Sequence, residues 1–539
     1  MPLRPESQDY EAVTKQRSAT MSPEDNTEGL LGLRRGKSGD SSKEESASDW
    51  FGTSFATAGP AIDSPTIDQS QAASLSRTVP KPLKKEMLDS FKNLWIRKRA
   101  HAISFAGLFL FTFFLYFRPY ELISSLSWLS TATFWIAIVT LAIFFPTQLA
   151  SEGNLTARPR EVNLILLFTV TGLLSIPLAI NPGEAWDEFS QFLKCVLMFL
   201  VMVNVVRTEK RLKGLLWLIL AASVVLSLGA INEYQAGRLG SAGDRIKGIT
   251  GGMFGNPNDL ALHLTTMVPI AVALFVASRG PFRKVVFALS AILMMAAIIV
   301  TFSRGGFLGL LAAAVVFAAK LGRRHKLSVP LAALLLIGIF LSVMPSELVG
   351  RLAATTNKGA DAVAWASGEA RRDLLTRSIV VSIANPVFGV GMGNFHIVGI
   401  QEQVSHNAYT QVSAEIGLTG AVLYVLFILA ALKRMRLIER NMAQSESNEA
   451  GGEQQSQSLS KREQRTSRYY YYLAVGLHAG LIGYMVSSFF ASVAYLWYVY
   501  YLVGFAFCLY QLNRQLTMKQ QERIDSPSQS IASISNNGV

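Results

Sequence analysis

The feature that most limits this chain is a series of uninterrupted apolar runs, each about 17–25 residues long, from residue 101 almost to residue 510. An α-helix of ~20 residues spans about 30 Å, the thickness of a bilayer's hydrocarbon core. In that medium the backbone must satisfy its own hydrogen bonds, so apolar runs of this length form helices. Composition agrees: charged residues make up 16% of the 539 residues, against about 25% in a typical soluble domain. The pattern predicts an all-α polytopic membrane protein. Its twelve expected spans are 101–117, 124–146, 162–180, 189–206, 212–230, 259–278, 283–301, 305–320, 327–346, 414–432, 471–489 and 491–510. Gly305, Gly306 and Gly309 in the eighth suggest close helix packing as well as a tight turn before it.

Loop charge orients these spans. With the N-terminus in the cytoplasm, the inner loops carry Arg158 and Arg160; Arg207, Lys210, Arg211 and Lys213; Arg279, Arg283 and Lys284; Lys320, Arg323, Arg324 and Lys326; and Lys433, Arg434, Arg436 and Arg440. The short outer loops hold Glu121, then Glu184, Asp187 and Glu188. This asymmetry is the positive-inside pattern, and it places both termini in the cytoplasm. It also accounts for a net charge of +13 without nucleic acid, for which no base-reading motif is present.

The segments outside the spans read differently. Residues 1–80 are rich in Ser, Thr, Glu, Gly and Asp and cannot build a core, which predicts a disordered cytoplasmic arm. Residues 1–20 lack the apolar core of a cleavable leader. In 81–99, Leu83, Met87, Phe91 and Trp95 recur every fourth residue among lysines and arginines. That suits an amphipathic helix on anionic membrane lipids, or a simple basic stop before the first span. Segment 347–413 is a long periplasmic loop with short helices, 433–470 a cytoplasmic insert with a flexible stretch at 441–468, and 511–539 a cytoplasmic tail. Cys195 and Cys508 both fall in apolar runs and suggest neither a disulfide framework nor a metal site.

The chemistry-bearing residues share one expected membrane face. Arg304 sits in Thr301-Phe302-Ser303-Arg304-Gly305-Gly306, between two apolar runs with almost no loop. An arginine at that depth needs a partner or an aqueous cavity, and it can hold a phosphate group. The plainer reading is an interfacial arginine on a short turn. Arg245 and Lys247 precede Gly251-Gly252-Met253-Phe254-Gly255-Asn256-Pro257-Asn258-Asp259, whose end is a helix-cap signal. Glu369, Arg371, Arg372 and Arg377 lie on an expected interfacial helix, followed by Asn385, Pro386, Gly389, Gly391 and Gly393. That glycine run lacks the strand–helix setting of a nucleotide site. His406 is a candidate base near neutral pH, although a lone surface histidine is more often uneventful. His396 stands nearby in sequence. The histidines do not converge on metal-ligand spacing, so no metal and no cofactor are expected.

Three stretches resemble the O-antigen ligase family and its related polymerases. They are Arg245 through Gly255-Asn256-Pro257-Asn258; Ser303-Arg304-Gly305; and Asn385-Pro386 through Gly389-Val390-Gly391-Met392-Gly393-Asn394-Phe395 to His406-Asn407 and Glu415-Ile416-Gly417-Leu418-Thr419-Gly420. The resemblance covers roughly residues 100–510. It implies a metal-independent, inverting glycosyl transfer at the periplasmic face of a bacterial inner membrane. The donor would be a glycan on undecaprenyl diphosphate, and the acceptor lipid A-core, another glycan or a protein. Arg245 and Arg304 correspond to the family's diphosphate-contacting arginines and His406 to its essential histidine. Asn256, Asn258, Arg371, Arg377, His396 and Asn407 are candidate auxiliary residues. Ligase, polymerase and protein glycan ligase remain open, and an anion transporter is the reading from another class. Against the transporter stand the absence of a visible repeat and the long loop carrying His406.

Overall fold

A computed structural model describes residues 101–237, 246, 249–322, 362–450 and 461–535, all within the compact unit that begins at Asn93. The expected arm 1–80, the basic segment 81–99, Arg245, the ninth span at 327–346 and residues 347–361 lie outside the described residues. All regular structure that is described is helical. The main helices are α1 (Ala102–Phe117), α2 (Ala132–Glu152), α3 (Arg160–Ser175), α4 (Pro182–Val205), α5 (Glu209–Gln235), α6 (Pro257–Ala277) and α7 (Pro281–Val300). They continue with α8 (Arg304–Gly322), α9 (Ala362–Ala384), α10 (Ala408–Glu415), α11 (Gly417–Ala450), α12 (Lys461–Ser487) and α13 (Trp497–Ser535).

Among the described residues nine helices are long and apolar enough to cross a bilayer, where the sequence predicts twelve spans. They correspond to the first eight expected spans and the eleventh. The expected spans 414–432 and 491–510 fall in α11 and α13, which run on into polar sequence. The described helices run beyond the apolar spans: α11 continues to Ala450, α12 begins at Lys461, and α13 continues to Ser535. Six of the ten residues 441–450 are Met, Ala, Gln or Glu, which are good helix formers, so lack of apolar character does not end the helix.

Local chemistry sets the helix starts. Asn181, Thr208, Asn256 and Asn407 each cap a helix through the side-chain oxygen, which accepts backbone N–H groups of the first turn. Pro182 and Pro257 occupy the first helical position, where a missing N–H costs nothing. The Asn-Pro-Asn-Asp signal is thus a cap, as its sequence suggests.

The core is the packing of α6, α8 and α12, with α7 against α6. Small residues let these backbones approach. A Cβ on Gly306 would stand 2.6 Å from the Ala261 Cβ, and one on Gly309 would stand 1.9 Å from Ser487 Oγ and 2.7 Å from the Gly483 carbonyl oxygen. Thr265 Oγ1 donates to the Gly306 carbonyl at 3.0 Å, adding a polar tie in the same seam.

Hydrogen bonds sort the loops between two ends of the bundle. At the end carrying Arg304, here the upper end, Gly251 N donates to Glu121 Oε2 at 2.7 Å and Ser303 Oγ to Asn258 Oδ1 at 2.9 Å. Asn181 N donates to Asn394 Oδ1 at 2.8 Å, and Ile180 N to the Val390 carbonyl at 3.0 Å. At the lower end Arg434 donates to both oxygens of buried Glu161, at 2.8 and 3.3 Å. Arg207 pairs with Glu152, and Lys320 with Glu439, whose other oxygen lies 3.0 Å from His478 Nδ1. The basic loops of the sequence therefore collect at the lower end.

The α8 seam yields a stability prediction. Gly309→Ala meets a backbone carbonyl that cannot move without shifting α12. Overpacking of this kind costs about 1–3 kcal/mol. Thermal unfolding of the purified protein in detergent should show a lowered midpoint. An unchanged midpoint would mean that α8 and α12 are not in this contact.

Candidate functional site

Arg304 is the first residue of α8, directly after a turn in which Phe302 takes a left-handed φ of 51°. The turn is held from two sides. Buried Ser303 donates to Asn258 and accepts from Gly306 N at 3.3 Å, so the Asn256-Pro257-Asn258 and Ser303-Arg304-Gly305 motifs are one structural unit. On the other side Ser487 Oγ donates to the Gly305 carbonyl at 3.1 Å, and a Cβ on Gly305 would stand 2.8 Å from that of Phe490. Arg304 is half-buried, and its guanidinium extends over α9. Both of its Nη atoms would be 3.9 Å from a Cβ placed on Gly368. Arg371 lies one turn further along the same face of α9, since residues three apart are neighbours on a helix.

His406 also precedes a helix start, one residue before the Asn407 cap of α10. Asn407 Oδ1 accepts from Tyr409 N at 2.9 Å and Thr410 N at 3.2 Å. His406 adopts φ 51°, a left-handed conformation costly for a residue with a Cβ. α10 is docked on the turn after α12. Tyr409 hydroxyl donates to the Met485 carbonyl at 2.9 Å, and Ser405 and Ser492 share a 3.3 Å hydrogen bond. The 485–492 turn thus touches both the Arg304 turn and the His406 turn.

Electrostatics link residues of these elements. Burial and the neighbouring Arg304 push the Arg371 guanidinium down to about 10. Burial and then Arg371 push His406 down to about 4. Arg304 is thus within electrostatic reach of Arg371, and Arg371 of His406, at the upper end. Like charges brought together in a partly buried site favour an anion between them. The neutral histidine is free of its proton at neutral pH and can accept one.

The other candidates take different roles. Asn256 and Asn407 cap helices, and Asn258 holds Ser303. Arg377 Nε donates to the Val398 carbonyl at 2.8 Å. His396 Nδ1 lies 2.9 Å from the Gly393 carbonyl, and its Nε2 lies 3.3 Å from Glu184 Oε2. Arg245 lies outside the described residues. Among the described residues, no three of His, Cys, Asp and Glu come together as a metal site.

The glycine run 389–393 is architectural. Val390 N and Gly391 N donate to the carbonyls of Ala414 and Glu415, each at 2.9 Å, in the bend between α10 and α11. Gly389 has φ 67°, and a Cβ there would stand 2.3 Å from the Glu415 carbonyl carbon. Glu415 is buried and enclosed by this loop. Gly368, Ser487 and Ser492 were not singled out by motif. Their contacts join residues from opposite parts of the chain, and no local spacing marks them.

Residues 289–425 match the family model described as O-antigen ligase, which supports an O-antigen ligase family assignment. The matched region runs from within α7 into α11 and contains Arg304, Arg371 and His406. No curated protein matches the chain. Together with the apolar helices, the match supports a membrane enzyme of glycosyl-transfer type acting in polysaccharide biosynthesis.

The depressed histidine carries a pH prediction. His406 protonates at about 4 when folded, below its ordinary 6.5. Its contribution to stability is full above pH 6.5 and is lost as pH falls toward 4, where the native state finally binds the proton. NMR of labelled histidine, assigned by comparison with His406→Gln, should show a neutral ring at pH 5.5. A midpoint near 6.5 would contradict the enclosed, arginine-flanked setting.

Proposed function

We propose that this protein transfers a glycan from undecaprenyl diphosphate to a hydroxyl of an acceptor, with lipid A-core as the acceptor and O-antigen-type glycan as the cargo. The observation that carries the reading is the meeting of Arg304, Arg371 and neutral His406 at one end of the bundle, inside the region matching the O-antigen ligase family. The reaction site belongs to the upper end. The paired basic residues of the lower end favour the cytoplasm by the positive-inside rule, which makes the upper end periplasmic and both termini cytoplasmic.

The chemistry is a single displacement. The acceptor oxygen attacks the anomeric carbon from the face opposite the diphosphate, so configuration inverts. The carbon–oxygen bond to diphosphate breaks, and its electron pair goes to the leaving oxygen. Arg304, joined by Arg245 of the preceding loop, binds that diphosphate and stabilises its growing charge with charge-assisted hydrogen bonds. Arg371 adds positive potential beside them. His406 takes the acceptor's proton. At about 4 it is a weak base, but a bound diphosphate offsets Arg371 and raises its basicity toward the working range. The leaving group is already activated, so this scheme needs no metal. The prenyl tail of the donor stays among the apolar helices while the sugar projects from the upper end.

The test is transfer by purified protein in nanodiscs, given lipid-diphosphate-linked glycan and lipid A-core and followed by mass spectrometry. Arg304→Ala should lose about 3 kcal/mol of transition-state stabilisation, roughly a hundredfold in rate. Arg304→Lys should recover little, because lysine lacks the planar fork. His406→Ala should bind donor and fail to turn it over. Normal turnover by folded His406→Ala would refute the base, and glycan chains growing on the lipid carrier alone would replace ligation by polymerisation.

A further inference from the structure

One ion pair at the upper end is built into the loop that leads to the Asn256 cap. Arg118 follows α1 with a left-handed φ of 44°. Its Nη2 lies 2.8 Å from Glu121 Oε1, and its Nε donates to the Tyr120 hydroxyl at 3.0 Å. The other Glu121 oxygen reaches a residue far along the chain, accepting from Gly251 N at 2.7 Å. The Arg118 guanidinium then covers the next residue. A Cβ on Gly252 would stand 1.9 Å from Arg118 Nη1, and Gly252 itself has φ 56°. No other residue type fits beneath this guanidinium without displacing it.

From Gly252 the contacts run to the site. Gly252–Phe254 form a single helical turn, and the Met253 carbonyl accepts from the Tyr498 hydroxyl. Asn256 caps α6 two residues later, Asn258 accepts from Ser303, and Arg304 is the next residue.

We propose that Arg118 and Glu121 are positioning residues that set the donor subsite, by clamping Gly251-Gly252 and through it the Asn256–Asn258 unit that holds the Arg304 turn. This rests on the transfer reading above. Two features distinguish the clip from a stabilising surface pair. Its carboxylate serves a backbone as well as the arginine, since Glu121 also accepts from Gly251 N. It also retains a left-handed arginine and a buried Nη1 that makes no hydrogen bond among the described residues. Strain and an unmet donor are kept where geometry matters more than stability. Sequence reading treats Glu121 only as an outer-loop charge and passes over Arg118, because their partner lies beyond four more helices, α2 to α5.

The experiment uses full-length protein in nanodiscs, with Arg118→Gln, Arg118→Lys, Glu121→Ala and Glu121→Gln. A positioning role predicts that Arg118→Gln and Glu121→Ala raise KM for the lipid-diphosphate donor by about tenfold, with kcat within about threefold and an unchanged thermal midpoint. Arg118→Lys keeps an ion pair and Glu121→Gln keeps an acceptor for Gly251 N–H, so each should fall between wild type and its harsher partner. Unchanged KM in Arg118→Gln and Glu121→Ala would overturn the proposal. A fall in kcat together with the thermal midpoint would overturn it too, in favour of a structural role. Native mass spectrometry with undecaprenyl diphosphate alone separates the two readings. Wild type that binds this lipid without transferring glycan sinks the transfer reading, and the clip is then read from the roughly tenfold loss of lipid affinity in the variants. Wild type that does not bind it sinks both.

Discussion

The structure depends first on a contact without side chains, where α8 lies against α6 and α12 along Gly305, Gly306 and Gly309. In hydrocarbon, helices are held by close packing and polar ties rather than by exclusion of water. Glycines allow the backbones to approach until Ser487 and Thr265 reach the carbonyls of α8. Because Arg304 is the first residue of that helix, the seam fixes where its guanidinium emerges. The turn after α12 carries Ser487 and Phe490 toward α8, and Met485 and Ser492 toward α10. One short turn therefore sets the spacing between the arginine and the histidine.

A second constraint is electrostatic. Arg304 and Arg371 repel each other, and Arg371 repels a proton on His406. In the proposed reaction a bound diphosphate meets both positive charges, and the charge stays with the phosphates as the glycosidic bond breaks. Preorganised cations of this kind need no rearrangement during the reaction, which is where their effect on rate arises. The separation of ends completes the design. At the lower end Arg207, Arg434 and Lys320 pair with Glu152, Glu161 and Glu439, so these charges serve packing.

Much of this was legible in residues whose meaning is local. The Asn256-Pro257 cap, the glycine seam of α8 and the shared end of Arg304 and His406 all follow from period, cap chemistry and loop charge. Contacts over long sequence separation were not legible. Gly368 beneath Arg304, Ser492 beside Ser405 and Arg118 over Gly252 have no signature apart from their partners. Helix extent beyond the apolar spans is not marked by hydropathy. Residues 433–450 remain in α11 because helix propensity survives the loss of apolar character. The glycines at 389–393, conspicuous in sequence, wrap the bend after α10 rather than a ligand.

The most direct test of the central claim is a cryo-EM structure of the protein with undecaprenyl diphosphate bound. The account predicts phosphate density between Arg304 and Arg371, with His406 facing the outer phosphate and the prenyl chain running down among the apolar helices. Phosphate density on the basic lower end, or an upper end in which the lipid leaves both arginines untouched, would contradict it.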